Sequence, residues 1–343
     1  MPTNRSLWQD KPGEPGIIRE SPYPSNLQDS ELIVKVHAWA MNPCDSMLQD
    51  HSLPFITYPV ILGEDIAGTV SAVGRLAALK FSIGDRITGI ALGAVSKRPA
   101  HSGFQEHLIL DHTMACKIPA TLSFAAAAVF PLCITTTAFA LFSQTYLGLP
   151  FPTTRPTSTG KSLLVWSGAS AVGSNAMQLA SAAGFAVVTT CSPRNFAYVR
   201  GLGAVAAFDY NSPSVIEDVV AELDKGVCAG IYHAAGDTLA TTCQVAHRSR
   251  QTLFVASTHP VKEGDAPEGV EARMTFGTGG VGMFAEVGPA TFGGFLAEAL
   301  EMGVYKVAPP PEVVGTRGLE GVQVALDVLK KGVSARKVVV VVE

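Results

Sequence analysis

Charge is scarce in this chain, and paired cysteines are missing altogether. Only 16% of its 343 residues are Asp, Glu, Lys or Arg, and the formal net charge is −4. No basic run occurs, so nucleic acid is not an expected partner. The six cysteines (Cys44, Cys116, Cys133, Cys191, Cys228 and Cys243) are scattered, with no Cys-x-x-Cys spacing. That argues against structural zinc and against a disulfide framework, and it points to a reducing cytoplasm. No apolar stretch is read as reaching the roughly 18 residues of a membrane span, so no membrane contact is expected. The first ten residues lack the apolar core of a secretory signal. What remains is a globular chain long enough for two domains, each with its own core.

The most informative segment runs from Ser162 to Ala180. An apolar run, Leu163 to Trp166, breaks into small residues from Ser167 to Gly173, and a helical pattern follows. This is the strand, tight turn and helix of a dinucleotide site. Small side chains let backbone approach a pyrophosphate, and the helix N-terminus offers free N–H groups. Ser167, Gly168, Ser170, Ala171, Val172 and Gly173 are the candidate phosphate-binding residues. The match to Gly-x-Gly-x-x-Gly is imperfect, because Ser170 and Ala171 lie between the two glycines.

A second strand, Ala186 to Cys191, follows and ends in a polar turn. Sites for NAD put a carboxylate there, to accept from the ribose 2′-hydroxyl. This chain has Ser192, Arg194 and Asn195 instead. Hydroxyl and guanidinium groups satisfy a 2′-phosphate that a carboxylate would repel, so the expected cofactor is NADPH. Tyr210, at the end of the next strand, is placed along the adenosine.

Around these segments the chain divides by pattern. From about Glu31 to Pro119 it is strand-like and rich in turns, with two glycines inside the strand Asp65 to Gly74, as in a small, partly closed β-barrel. Phe124 to Val129 and Ile134 to Tyr146 read as helices with Pro131 between them. Strand and helix then alternate in the doubly wound manner: Leu163–Trp166, Ala186–Cys191, Ala204–Phe208, Gly230–His233 and Gln251–Ala256 as strands, with helices near Ser174–Ala183, Ala197–Leu202, Val215–Leu223 and Leu239–His247. Helices at Thr291–Met302 and Leu319–Lys331 and a final strand from Lys337 complete the chain. The glycine cluster Gly277 to Gly282 follows no first strand of a βαβ unit and is read as a substrate-side loop. Phe276, Met283 and Phe284 are its apolar lining.

Taken together, Asn42-Pro-Cys-Asp45, Tyr58-Pro-Val-Ile-Leu-Gly63, Asp65-Ile-Ala-Gly-Thr-Val70, Phe81 to Gly89 and the dinucleotide segment resemble the medium-chain dehydrogenase/reductase superfamily. Ser192 to Phe196, Phe208-Asp-Tyr210 and Lys331 to Lys337 extend the likeness. The chain is most similar to the quinone-oxidoreductase branch and, within it, to fungal enoyl-reductase-like proteins of secondary metabolism. The resemblance implies an α/β protein with a GroES-like β-barrel catalytic domain (residues 1–125) and a doubly wound, Rossmann-type nucleotide domain (126–290). A C-terminal return to the catalytic domain (291–343) completes it, with the cofactor in the cleft. It also implies that Asn42, Asp45, Thr136, Ala256, Ser257 and Lys337 lie beside the cofactor.

Zinc-using members carry Cys where this chain has Asn42, and Gly-His-Glu where it has Gly63-Glu64-Asp65. The thiolate and imidazole that a catalytic zinc prefers are absent there, so no metal is expected. Without a Lewis acid, oxidation of a plain alcohol is hard, and reduction of an activated C=C is easier. Candidate proton donors or hydrogen-bond donors are Tyr58, Tyr146, Thr137 and Ser257, with solvent as an alternative source. His37 and His233 read as packed or hydrogen-bonded groups, not ligands.

The leading expectation is therefore an NADPH-dependent reductase of an enone, enoyl thioester or quinone. Its substrate would be apolar, small or bound to a carrier protein, with a polyketide synthase as the possible partner. Two further readings stay open: a non-redox cyclase or isomerase using the same cleft on a polyketide-like substrate, and a nucleotide-sensing protein without turnover.

Overall fold

A computed structural model describes residues 3–275 and 285–343. The chain forms two compact units. One contains residues 3–132, 285–288 and 310–343, and the other residues 133–275 and 289–309.

In chain order the first unit opens with β1 (Asn4–Gln9), β2 (Ile17–Ser21), β3 (Glu31–Ala40), α1 (Pro43–Asp50), β4 (Val60–Ile61), β5 (Asp65–Val73), β6 (Arg86–Ile90), α2 (Gly93–Ser96), β7 (His107–Asp111), β8 (Ala115–Lys117) and α3 (Phe124–Ala127). The division between units falls in the first turn of α4 (Pro131–Phe142). The second unit contains β9 (Lys161–Trp166), α5 (Ala171–Ala182), β10 (Ala186–Thr190), α6 (Phe196–Gly201), β11 (Ala204–Phe208), α7 (Val215–Leu223), β12 (Val227–His233), α8 (Leu239–Arg248), β13 (Val255–Ser257), β14 (Ala272–Met274) and α9 (Phe295–Glu301). The chain ends in the first unit with β15 (Pro311–Val313), α10 (Glu320–Lys330) and β16 (Lys337–Val341).

In the first unit, β3 is the organising strand. It pairs with β5 on one side, and with β7 and then β16 on the other. The large sheet runs β15-β16-β3-β5-β6-β8, with β7 joined to β3. A smaller sheet, β2-β1-β4, is tied on by a bridge between Ser6 and Gln105. Gly68, the glycine of β5, does what the strand pattern implied, while Gly74 lies just past the end of the strand. A Cβ at Gly68 would lie 2.2 Å from the Lys35 carbonyl oxygen, and the β3–β5 register slips beside it, between Val36 and Ala38. Both sheets close on one core that includes Trp39, Ile66, Phe81 and Phe104.

The second unit is a six-stranded parallel sheet, β11-β10-β9-β12-β13-β14. Strand order reverses at β9, so its carboxyl end is the topological switch point where ligands bind in such sheets. The segment 289–309 belongs to this unit. Asn175 and Gln178 of α5 hold it, donating to the carbonyls of Ala308 at 2.9 Å and Lys306 at 3.1 Å. The last stretch of the first unit begins at Pro310.

Two expectations are corrected. Two helices do form here, α3 and α4, but the second starts at Pro131 and not at Ile134, because a first helical position has no partner for the missing N–H to lose. The stretch Phe124–Phe142, 19 residues at a mean hydropathy of 1.9, does have the length and composition of a membrane span. It is 72% buried within the protein, with Phe130, Phe139 and Leu141 in the core. Helices apolar all round, as α3 and α4 are, suit such a buried position.

Candidate functional site

The phosphate turn is built by close packing. Ser167, at φ 67°, turns the chain out of β9, and its N–H donates to Thr190 Oγ1 at 3.0 Å. A Cβ at Gly168 would meet Thr189 Oγ1 at 2.1 Å; one at Gly173 would meet the Ser167 carbonyl oxygen at 2.3 Å. Only glycine fits either place. Ser170, where the glycine fingerprint departs, caps α5: its Oγ accepts from the Gly173 N–H at 3.0 Å and donates to the Ser167 carbonyl at 2.8 Å. Among the described residues the amides of Ala171 and Val172 have no acceptor, and both residues are half-buried at the helix start. Free amides on a capped helix N-terminus suit a phosphate oxygen.

Next to this turn, Ser192 Oγ donates to the Tyr210 hydroxyl at 3.1 Å, linking the ends of β10 and β11. Arg194 is exposed and makes no ion pair among the described residues. Asn195 stands beside it, ahead of α6. These residues and the phosphate turn share the carboxyl edge of the parallel sheet. Ala256 and Ser257, both fully buried, end β13 on that same edge.

Several expected donors are engaged elsewhere. Ser257 Oγ lies 3.1 Å from His233 Nδ1 and accepts from the His259 N–H at 3.0 Å. Thr137, fully buried, donates to the Val172 carbonyl at 3.3 Å; Thr136, its neighbour in α4, is half-buried. Tyr146 donates to the Met274 carbonyl at 3.2 Å. The Tyr58 hydroxyl donates to the carbonyls of Leu48 at 2.7 Å and His51 at 3.2 Å. It ties down the C-terminal end of α1, and burial raises its pKa. The hydroxyls of Tyr58, Thr137 and Ser257 are thus each hydrogen-bonded within the fold. Phe276, Met283 and Phe284 lie outside the described residues.

His233 and its neighbours form a group that pattern alone does not reveal. Besides Ser257, His233 Nε2 lies 3.3 Å from Thr238 Oγ1, which accepts from Trp166 Nε1 at 2.9 Å. Burial, and then the neighbouring His259, pull His233 down to about 4, so it is neutral near pH 7. One imidazole thus pins the ends of β9, β12 and β13 together.

The first unit contributes a buried polar cluster at the start of α1. The Lys337 ammonium, at the head of β16, lies 2.9 Å from Asp65 Oδ2 and donates to Asn42 Oδ1. Asn42 Nδ2 donates to Asp65 Oδ2 at 3.0 Å, and the Leu132 N–H donates to Oδ1 at 2.6 Å. Asn42 and Lys337, expected beside the cofactor, are 1% and 3% exposed, and their polar atoms are taken up within this cluster. Asp45 Oδ2 accepts from the Asn42 N–H at 2.7 Å; its Oδ1 is buried without a partner among the described residues. Cys44 Sγ donates to Glu64 Oε2 at 3.4 Å. Burial, and then the charge of Glu64, hold the Cys44 thiol well above its usual range. Among the described residues no group of three or more His, Cys, Asp or Glu side chains is arranged to hold a metal ion.

The Alcohol dehydrogenase GroES-like domain family matches residues 28–120. Dehydrogenase orf1 of Aspergillus niger is 42% identical over 350 aligned positions, covering 99% of this chain and 99% of its own. The chain belongs to the medium-chain dehydrogenase/reductase superfamily. Trans-enoyl reductase himH of Aspergillus japonicus is 35% identical, covering 98% of this chain and 97% of its own. A putative zinc-dependent alcohol dehydrogenase from Rhizobium etli shares the fold, with a TM-score of 0.81 at 22% identity over 99% of this chain and 98% of that one. As a member of this superfamily the protein is an oxidoreductase, and its family implies a nicotinamide cofactor. The two fit tests on the chain's own residues differ. The phosphate turn suits a dinucleotide. The cluster at Asn42 does not suit zinc: its amide, its Asp65 carboxylate and its protonated thiol are each already engaged.

Proposed function

We propose that this protein is an NADPH-dependent reductase of an activated carbon–carbon double bond, in an enone, an enoyl thioester or a quinone, and that it works without a metal ion in fungal secondary metabolism. One observation carries the cofactor choice: Ser192, Arg194 and Tyr210 gather where β10 and β11 end, with no carboxylate closing β10. A carboxylate there would repel a 2′-phosphate, whereas a free guanidinium and two hydroxyls attract it. NADPH held by these residues would supply the hydride for the β-carbon of the substrate. The chain's own work is to hold the phosphates on the amides of Ala171 and Val172, and the 2′-phosphate on Arg194.

The metal-free part rests on the donor set, since Asn42 and Asp65 hold Lys337 and the Cys44 thiol keeps its proton. The trans-enoyl reductase among the relatives supports the enoyl class. Presentation of an apolar substrate on a carrier protein of a polyketide synthase is the further step of this reading. Mixing the protein with a trans-2-enoyl thioester and NADPH or NADH tests it. Loss of nicotinamide absorbance with NADPH, and a saturated product by mass spectrometry, is the expected result. No product with either cofactor, across enones, enoyl thioesters and quinones, contradicts it.

A further inference from the structure

The histidine that joins β9, β12 and β13 also stands behind the phosphate turn, and every residue of the connection lies in the second unit. His233 is fully buried at the end of β12. Its Nε2, 3.3 Å from Thr238 Oγ1, reaches the residue that precedes α8. Thr238 Oγ1 in turn holds the indole N–H of Trp166 at 2.9 Å. Trp166 ends β9, and the next residue is Ser167, which turns the chain into the phosphate loop. The Ser167 carbonyl accepts from the Ser170 N–H at 3.0 Å and from its Oγ at 2.8 Å, so a shift of Ser167 carries the cap of α5 with it.

A second set of bonds ties the same segments. The Ala234 N–H donates to the Trp166 carbonyl at 3.1 Å, and Ser167 Oγ donates to the Ala235 carbonyl at 2.8 Å. Thr258 Oγ1 donates to the Ala234 carbonyl at 3.1 Å. The chain then bends at Gly236, with φ 90°. A Cβ there would stand 3.5 Å from Thr238 Oγ1 and 3.9 Å from Ser167 Oγ, so the loop 234–238 lies against the turn. Its start is held by Trp166, Ser167 and Thr258, and its end by His233.

Resting on the dinucleotide reading above, we propose that His233 is a positioning residue for the cofactor. Through Thr238 and Trp166 it fixes Ser167, and with it the Ala171 and Val172 amides that face the phosphates. The ring is sealed from solvent, so it acts through its two hydroxyl partners alone. Neutral near pH 7, it has one nitrogen that donates and one that accepts, which matches a hydroxyl on each side. A buried polar network of this kind is rigid only while every member is satisfied.

The two ring nitrogens can be separated by substitution. Glutamine places a polar atom near the position of Nε2 and keeps the link to Thr238. Asparagine places one near Nδ1 and keeps only the link to Ser257. The test measures NADPH affinity by calorimetry for the full-length protein and for His233→Gln, His233→Asn and Thr238→Val, each checked for folding by circular dichroism. His233→Asn and Thr238→Val should each weaken binding roughly tenfold, the worth of about one displaced charge-assisted hydrogen bond. Combining them should weaken it no further, because both cut one chain. His233→Gln should stay within about threefold of wild type. In the ligand-free protein the Trp166 indole N–H resonance should shift in His233→Asn and Thr238→Val, and hold its place in His233→Gln. A merely structural histidine would lower stability in both His233 variants and leave NADPH affinity unchanged, and that result overturns the proposal. Equal weakening by glutamine and asparagine overturns it too. A wild-type protein that binds no dinucleotide overturns the cofactor reading and the positioning role with it.

Discussion

Replacing Gly173 with alanine is the sharpest probe of the phosphate turn. The added Cβ would lie 2.3 Å from the Ser167 carbonyl oxygen and 2.8 Å from Gly168 Cα, and both are backbone atoms. No side-chain rotation relieves such a contact, so the turn itself must move. Overpacking of this kind costs about 1–3 kcal/mol. The movement also displaces the amides of Ala171 and Val172, and hydrogen bonds to charged groups are worth about 1.5–3 kcal/mol each. Losing one is at least a tenfold loss of affinity, at about 1.4 kcal/mol per decade. Urea denaturation and a fluorescence titration with NADPH read the two effects separately. Gly201→Ala is the control: nothing lies within 4 Å of its added Cβ, and as a helical Gly-to-Ala change it should gain about 0.5 kcal/mol. Wild-type stability and wild-type NADPH affinity in Gly173→Ala would refute the packing argument.

Other outcomes follow from the same geometry. Arg194→Ala should weaken NADPH binding by about tenfold or more, the worth of a charged hydrogen bond, and leave NADH binding unchanged, as read by parallel calorimetric titrations. Tyr58→Phe should cost about 0.5–1.5 kcal/mol in urea denaturation through its lost bonds to Leu48 and His51, while kcat stays near wild type. Glu64 binds its proton more tightly in the folded protein, so its contribution to stability is complete below about 4.5 and lost as pH rises through about 7. That is at most about 3 kcal/mol, and urea midpoints across this range should fall for the wild type relative to Glu64→Gln. A pH-independent difference between the two would count against the raised carboxyl.

The nucleotide unit was the most legible part of the chain. Parallel strands buried on both faces read as apolar runs, and β11 at Ala204–Phe208 and α7 at Val215–Leu223 fall where pattern put them. Boundaries slipped where side chains replace backbone pairing. Gln251 was read into a strand, yet its amide binds Cys228, Leu223 and Asp224 from a loop, and β13 starts at Val255. The helix α5 starts three residues earlier than expected because Ser170 caps it. The hidden part of the site depends on long-range pairing. Lys337 reaches Asn42 across 295 residues only because β16 pairs with β3, and no local spacing announces that. Side-chain direction was equally hidden: the hydrogen bonds of Tyr58, Thr137 and Ser257 are not legible in the sequence.

The most direct test of the account is a titration of the purified protein with NADPH and, separately, with NADH, followed by intrinsic fluorescence or calorimetry. Tight NADPH binding, weaker NADH binding, and loss of the difference in Arg194→Ala are the predicted results. Binding of neither dinucleotide would contradict the reductase reading, and equal binding of both would contradict the role given to Ser192, Arg194 and Tyr210.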